Sequence, residues 1–243
     1  MIVNNAQKTL DASLSSLKDF DEVIVYENNS TDQSAKIAQS YVNVTFISGE
    51  FLGFGPTKNR AVSYATKDWI LSLDSDEVLS KNFVENLKKE HLDEASVYTI
   101  LRTNYYKERQ IKHCWGNDII TRLFNKNKTK FTDKKVHEKI IDNGFSIKAL
   151  QGEVKHYPYS TVSDFIVKLD KYSTIYAEDN AGKKSSSPLK AFANGSFSFF
   201  KTYFIKRGFL DGYAGLIIAF SHMATNFYKY IKLYELNQEL KGK

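Results

Sequence analysis

Trp69-Ile70-Leu71-Ser72-Leu73-Asp74-Ser75-Asp76-Glu77 passes from an apolar run into three carboxylates. The run Trp69 to Leu73 reads as a buried strand. Asp74 and Asp76 then fall where that strand ends, and ligands of open α/β sheets bind outside the carboxyl ends of strands. Two carboxylates one residue apart on an extended chain can direct oxygens toward a shared Mg²⁺ or Mn²⁺ that also holds a diphosphate. Taken alone, Asp-x-Asp is as readily an acidic turn capping a helix expected near Ser80. Glu77 stands between a third metal ligand, a group supporting the ligands, and a first-turn residue favoured by the helix dipole.

Upstream, Ala6, Leu10, Leu14 and Leu17 recur at helical spacing, and Val23-Ile24-Val25-Tyr26 reads as a buried strand. Ser30-Thr31-Asp32-Gln33 has the form of a capping box opening a second helix that runs to about Ser40. Val42, Val44 and Phe46 alternate as a strand. Pro56 suits a first helical turn, with Ala61, Val62 and Ala65 supplying the apolar face. Helix and strand alternating three times predict a parallel sheet covered on both faces.

Past Val97 shorter runs, Val97 to Leu101 and Ile119 to Phe124, suit added strands and loops. Beyond Thr161 the spacing of Phe165, Leu169, Tyr172 and Tyr176 predicts a helix, and Lys183 to Pro188 breaks it. The expected organisation is an α/β domain over 1–160 and a helical C-terminal segment over 161–243. The fold class is α/β: a mixed, mainly parallel sheet flanked by helices, with a helical extension.

With 243 residues, 42% hydrophobic and 26% charged, the chain is suited to one large folded domain with a small appendage. A net charge of +6 favours anionic partners. The single cysteine, Cys114, cannot form an intrachain disulfide, and Met1-Ile2-Val3-Asn4-Asn5 has no leader character. A cytoplasmic setting is expected, with any membrane contact peripheral, because no apolar run approaches the ~20 residues of a spanning helix.

Glu27 ends the strand Val23 to Tyr26, where a carboxylate could accept a hydrogen bond from a nucleobase while Asn28, Asn29 and their polar neighbours approach a ribose. Gly49, Gly53 and Gly55 precede a helix bearing Lys58, Asn59 and Arg60 but match no phosphate-loop motif, so a flexible loop is the expectation. Lys58 and Arg60, near that helix N-terminus, could still meet a diphosphate. Glu138 could serve as the base of a group transfer to a hydroxyl, and His156 as a metal ligand or a diphosphate contact. Each of these residues also has an ordinary structural reading.

Four segments together carry a family resemblance: Val23 to Asp32 (VIVYENNSTD), Gly53 to Ala61 (GFGPTKNRA), Trp69 to Glu77, and Val136-His137-Glu138. The chain resembles the inverting family-two glycosyltransferases of the GT-A fold, within them the lipopolysaccharide-core β-glucosyltransferase branch. The resemblance implies that Glu27 reads a uracil, that Asp74 and Asp76 hold metal and diphosphate, and that Glu138 is the base. It implies a UDP-sugar donor, a Mg²⁺ or Mn²⁺ cofactor and a hexose, glucose foremost, moved to a glycan or lipid-linked acceptor. The stretch Phe204 to Gly212 is similar to that branch too, implying work at the cytoplasmic membrane face on a lipid-linked acceptor, and no nucleic acid polymer is expected as a partner. Two departures stand out. Glu27-Asn28-Asn29 replaces a glycine-bearing turn, although Asn can adopt the positive φ of Gly; and the sequence starts at Met1-Ile2-Val3 where the family's first strand is longer, so either that strand is short or the sequence begins late.

Two other classes fit parts of the sequence. A phosphatase-like hydrolase would use Asp74 as nucleophile, but such enzymes carry Asp-x-Asp after their first strand, and here two strand–helix units precede it. A non-catalytic membrane- or glycan-binding module would use Lys201, Lys206 and Arg207 beside Phe197, Phe199, Phe200, Phe204 and Phe209, a stripe that core packing explains equally well.

Overall fold

The computed structural model describes residues 1–242. Contacts group the chain into two compact units, Met1–Thr103 with Asn117–Tyr157, and Asn104–Gly116 with the chain from Pro158. The second unit thus takes in the segment Asn104–Gly116 from the middle of the sequence.

In the first unit β1 (Ile2–Val3), β2 (Val23–Glu27) and β3 (Val44–Ser48) form a parallel sheet in the order β1-β2-β3. Helix α1 (Leu10–Ser15) presents Leu10 and Leu14, one turn apart and almost wholly buried, to a core shared with Ala6, Leu17, Val23 and Val25. Burying each such leucine contributes about 2 kcal/mol. Helix α2 is Ser34–Gln39. The expected capping box does not form: Asp32 Oδ1 accepts from the Ser34 backbone N–H at 2.9 Å, while Ser30 Oγ accepts from Asn5 N–H at 3.1 Å. Asp32 outcompetes Ser30 because its carboxylate lies two residues from the first helical turn.

Helix α3 (Phe54–Ser63) leads to β4 (Trp69–Leu71), and the structure departs here from the sequence expectation of one sheet. β4 pairs antiparallel with β8 (Asn117–Asn125), so it belongs to a six-stranded sheet ordered β4-β8-β6-β9-β5, with β7 (Arg109–Gln110) paired to β6. Here β6 is Ser96–Tyr106, β9 is Ser146–Tyr159 and β5 is Glu77–Leu79. Strand β5 places Glu77 opposite His156. Helix α1 fixes it from one side, through Ser13 Oγ to the Glu77 carbonyl at 2.7 Å and Leu79 N–H to Ser16 Oγ at 3.1 Å. Ser80 then caps α4 (Lys81–Lys89) by accepting from Phe83 N–H.

In the second unit α5 (Val162–Asn180) opens with a full capping box between Thr161 and Asp164. Its buried face runs Phe165, Ser173 and Ala177, so Tyr172 lies outside that face, 57% exposed. Small residues let the helix backbone approach closely, which leaves the larger tyrosine on the outer side. Helix α6 (Pro188–Phe200) continues through a π-turn over Lys201–Ile205 and a 3-10 turn over Gly208–Asp211 into α7 (Gly212–Lys241). Among the described residues no helix is long and apolar enough to cross a membrane.

Candidate active site

Strand β4 ends at Leu71, and Ser72 and Leu73 carry the chain to Asp74 inside the first unit. Asp74 Oδ1 meets Lys58 Nζ at 3.1 Å, and Oδ2 meets Arg122 Nη2 at 2.5 Å. The same arginine nitrogen lies 2.7 Å from Glu77 Oε1, which Arg102 Nη1 also meets at 3.1 Å. Glu77 is fully buried, and its other oxygen accepts from Asp74 N–H at 3.0 Å. It heads a strand, so the helix-dipole reading fails and its role is to hold two arginines and the Asp74 turn.

Lys58, 7% exposed, joins this network to the downstream motif, with Nζ 2.8 Å from Glu138 Oε1. Glu138 follows His137, which takes a left-handed φ of 57°. Asp76 Oδ2 faces His156 Nε2 at 3.5 Å, and Asp76 C=O accepts from Tyr157 N–H at 2.8 Å. A cavity of about 320 Å³ is lined by Lys58, Asp74, Arg102, Arg122 and Glu138. A larger cavity of about 490 Å³ lies among Leu17, Val23, Trp69 and Leu71, but its lining is mainly apolar. The charged cavity is the better place for chemistry on a phosphorylated ligand.

Burial pushes the Asp74 carboxyl up, but the Arg122 guanidinium and Lys58 ammonium outweigh it and hold this group far below the usual carboxylate range. Burial likewise works against charge on Arg122, and Asp74 and Glu77 reverse that, keeping it protonated. Asp74 is therefore an anion whose two oxygens are already engaged by cations.

Asp76 and His156 pair with each other and are not among the residues lining the charged cavity, and three further expected site residues, Glu27, Asn29 and Arg60, also lie outside this cluster. Glu27 closes its own turn: its carboxylate accepts from Ser30 N–H and, at 2.9 Å, from Ser48 Oγ. It sits on the three-stranded sheet, whereas Asp74 follows a strand of the other, so the two do not end strands of one sheet. Asn29, exposed, adopts φ 55°, the conformation that an Asn in place of Gly was expected to take. Arg60 is exposed and lies against the Tyr64 ring at 6.0 Å. The glycine loop is not a flexible cradle. Phe54 and Gly55 donate their N–H groups to Lys135 and Lys134 carbonyls, and a Cβ on Gly55 would come within 2.0 Å of Thr132 O. That loop instead pins the segment leading to Glu138 against α3.

Among the described residues no three His, Cys, Asp or Glu side chains come together as a ready-made metal site. Asp76 and His156 nonetheless fit half of one: a hard cation takes one or two protein ligands, and diphosphate oxygens and water complete its shell. Asp74 suits a cation less well, since Lys58 and Arg122 hold its oxygens. Sequence reasoning missed Arg102 and Arg122. The available signal was an arginine inside the apolar strand run Ile119 to Phe124, because a buried guanidinium requires carboxylate partners.

Sheets flanked by helices, with this charged cluster beyond a strand end, define the chain as a GT-A glycosyltransferase. Residues 1–151 match Glycosyl transferase family 2, and the chain belongs to that family. It is 28% identical over 253 residues to a glycosyltransferase of Rickettsia bellii, covering 98% of this chain and 85% of that one. It is 25% identical over 249 residues to the lipopolysaccharide core biosynthesis glycosyltransferase LpsC of Rhizobium meliloti, covering 97% and 90%. The S. aureus TarS 1–349 structure in complex with UDP-GlcNAc superposes at a TM-score of 0.45, with 15% identity over 99% of this chain and 90% of that one.

Proposed function

We propose that the enzyme transfers a hexose, glucose foremost, from a UDP-sugar to a hydroxyl of a lipid-linked or cell-surface glycan such as a lipopolysaccharide core, with inversion at the anomeric carbon. The observation that carries this reading is the Lys58 bridge, which draws Asp74 of the quoted stretch and Glu138 of the distant His-Glu motif to one ammonium. The similarity to LpsC supports the choice of acceptor.

In this reading Glu138 takes the proton of the acceptor hydroxyl as its oxygen attacks the anomeric carbon from the face opposite the departing nucleotide. Asp76 and His156 would hold Mg²⁺ or Mn²⁺, which when bound would supply positive charge to offset that of the leaving diphosphate. Lys58, Arg102 and Arg122 make the cavity attractive to phosphate oxygens, and Asp74 keeps the two cations nearest it in place. Glu27, Asn29 and Arg60 are the groups for base, ribose and outer phosphate contacts. The enzyme acts at the inner face of the membrane.

Thermal melting with nucleotides tests the donor class. A ligand at a hundredfold excess over its Kd adds about 2.7 kcal/mol to stability, which is about 5–10 °C for a chain of this size. UDP-glucose with Mn²⁺ is expected to give a shift of that order, and ADP-glucose a much smaller one. Absence of a shift with every UDP-sugar would overturn the donor assignment.

A further inference from the structure

Between α6 and α7 the chain reverses over residues 201–211, within the second unit, and this reversal is closely packed and hydrogen-bonded. The Asp211 carboxylate, 2% exposed, accepts the backbone N–H groups of Lys112, His113 and Cys114 at 2.9–3.1 Å. Gly208 packs so closely that a Cβ there would lie 2.7 Å from Thr202 O, and one on Gly215 would lie 1.8 Å from Gly208 O. The inner face of the two helices is filled where Gly195 meets Met223 and Phe227. A fixed turn with a filled inner face leaves its remaining side chains directed outward.

Those side chains are large and apolar. Phe200, Phe204, Ile205, Phe209, Leu210 and Tyr213 are each about half exposed or more, Ile205 and Tyr213 reaching 60%. Lys201, Lys206 and Arg207 are interleaved with them and exposed. From Lys183 through Leu210 the sequence holds six cations (Lys183, Lys184, Lys190, Lys201, Lys206, Arg207) and no Asp or Glu. The next carboxylate, Asp211, is spent on backbone amides.

We infer that this turn docks the enzyme on an anionic phospholipid bilayer, inserting Phe204, Ile205, Phe209 and Leu210 among the acyl chains while Lys201, Lys206 and Arg207 meet lipid phosphates. Charge complementarity selects the partner. Apolar side chains ringed by cations suit an interface where hydrocarbon lies just beneath negative headgroups. A second copy of the chain is a poor occupant, because a symmetric contact through this patch would set the same three cations against each other. No described helix spans a bilayer, so the attachment is interfacial. The inference deepens the membrane part of the function proposed above, and it rests on this surface alone, without any catalytic assignment.

Co-sedimentation of the full chain with vesicles tests it, in the absence of any sugar nucleotide, so that failure of the donor reading leaves the result interpretable. Vesicles of three parts phosphatidylcholine to one part phosphatidylglycerol are expected to bind the protein about tenfold more strongly than phosphatidylcholine alone. High salt should weaken the binding. The triple variant Lys201→Glu, Lys206→Glu, Arg207→Glu and the triple variant Phe204→Ser, Phe209→Ser, Leu210→Ser should each lose about tenfold or more. Because a variant could misfold, a second measurement uses an environment-sensitive fluorophore on Ile205→Cys, with Cys114 buried and unreactive. Its emission should shift to the blue on phosphatidylglycerol vesicles. The same label on Leu240→Cys, about 40 Å away along α7, should not shift. Equal binding to both vesicle types, unchanged binding by both variants, or a dimer that the Phe204→Ser variant dissolves without any vesicle binding would overturn the inference.

Discussion

Glu138→Gln is expected to lower kcat about a thousandfold, with the melting temperature and the KM for the sugar donor close to wild type. Gln keeps the shape and an oxygen for Lys58 Nζ, which meets Glu138 at 2.8 Å, but it cannot accept a proton from an acceptor hydroxyl. The loss should therefore fall on turnover, not on donor binding. Steady-state kinetics with UDP release as the readout checks this. A kcat within a few-fold of wild type would place the base elsewhere, and a large rise in donor KM would recast Glu138 as a binding group.

The second large effect concerns stability. Arg122→Met removes the cation shared by Asp74 and Glu77 and should destabilise the first unit by about 3 kcal/mol, which lowers Tm by about 6–12 °C. Arg102 stays with Glu77, and the Asp74 side chain keeps a third of its surface open, which holds the cost to this range. The pH dependence has a definite sign. In the wild type the Asp74 carboxyl is held well below its ordinary value, so its contribution is present above about pH 4 and fades as pH falls below that. The Tm difference between wild type and Arg122→Met should shrink on acidification through this range. A difference that grows in acid, or a Tm unchanged at neutral pH, would contradict the assigned role of the arginine.

Local patterns carried much of the fold. The Leu10–Leu14 stripe, the strand Val23 to Tyr26, the helix start near Ser80 and the helix beginning after Thr161 are set by residues a few positions apart, and each is found where the sequence places it. The positive φ of Asn29 was legible for the same reason. What escaped depends on distant partners. β4 has only three residues, and its place is decided by β8, whose Leu123 pairs with Leu71. The Arg122 bridge joins residues 45 and 48 positions apart, a separation that no periodicity reveals. Gly53 and Gly55 looked like a mobile loop because the loop 132–135 that needs their missing side chains comes from far along the chain. The Phe-rich segment 197–209 has the spacing of a core stripe, and only the packing of α6 on α7 shows how much of it stays outside.

The most direct measurement of the central claim is the rate of UDP release from UDP-glucose by wild type and by Asp76→Ala, each with Mn²⁺ and with EDTA. Wild type is expected to turn over with Mn²⁺ and to stop in EDTA. Asp76→Ala, folded to the same melting temperature, is expected to fall at least about a thousandfold with Mn²⁺ present. Wild-type turnover unaffected by EDTA, or an Asp76→Ala enzyme that works normally at the same Mn²⁺ concentration, would contradict a sugar transfer organised around the end of the Trp69 to Glu77 segment.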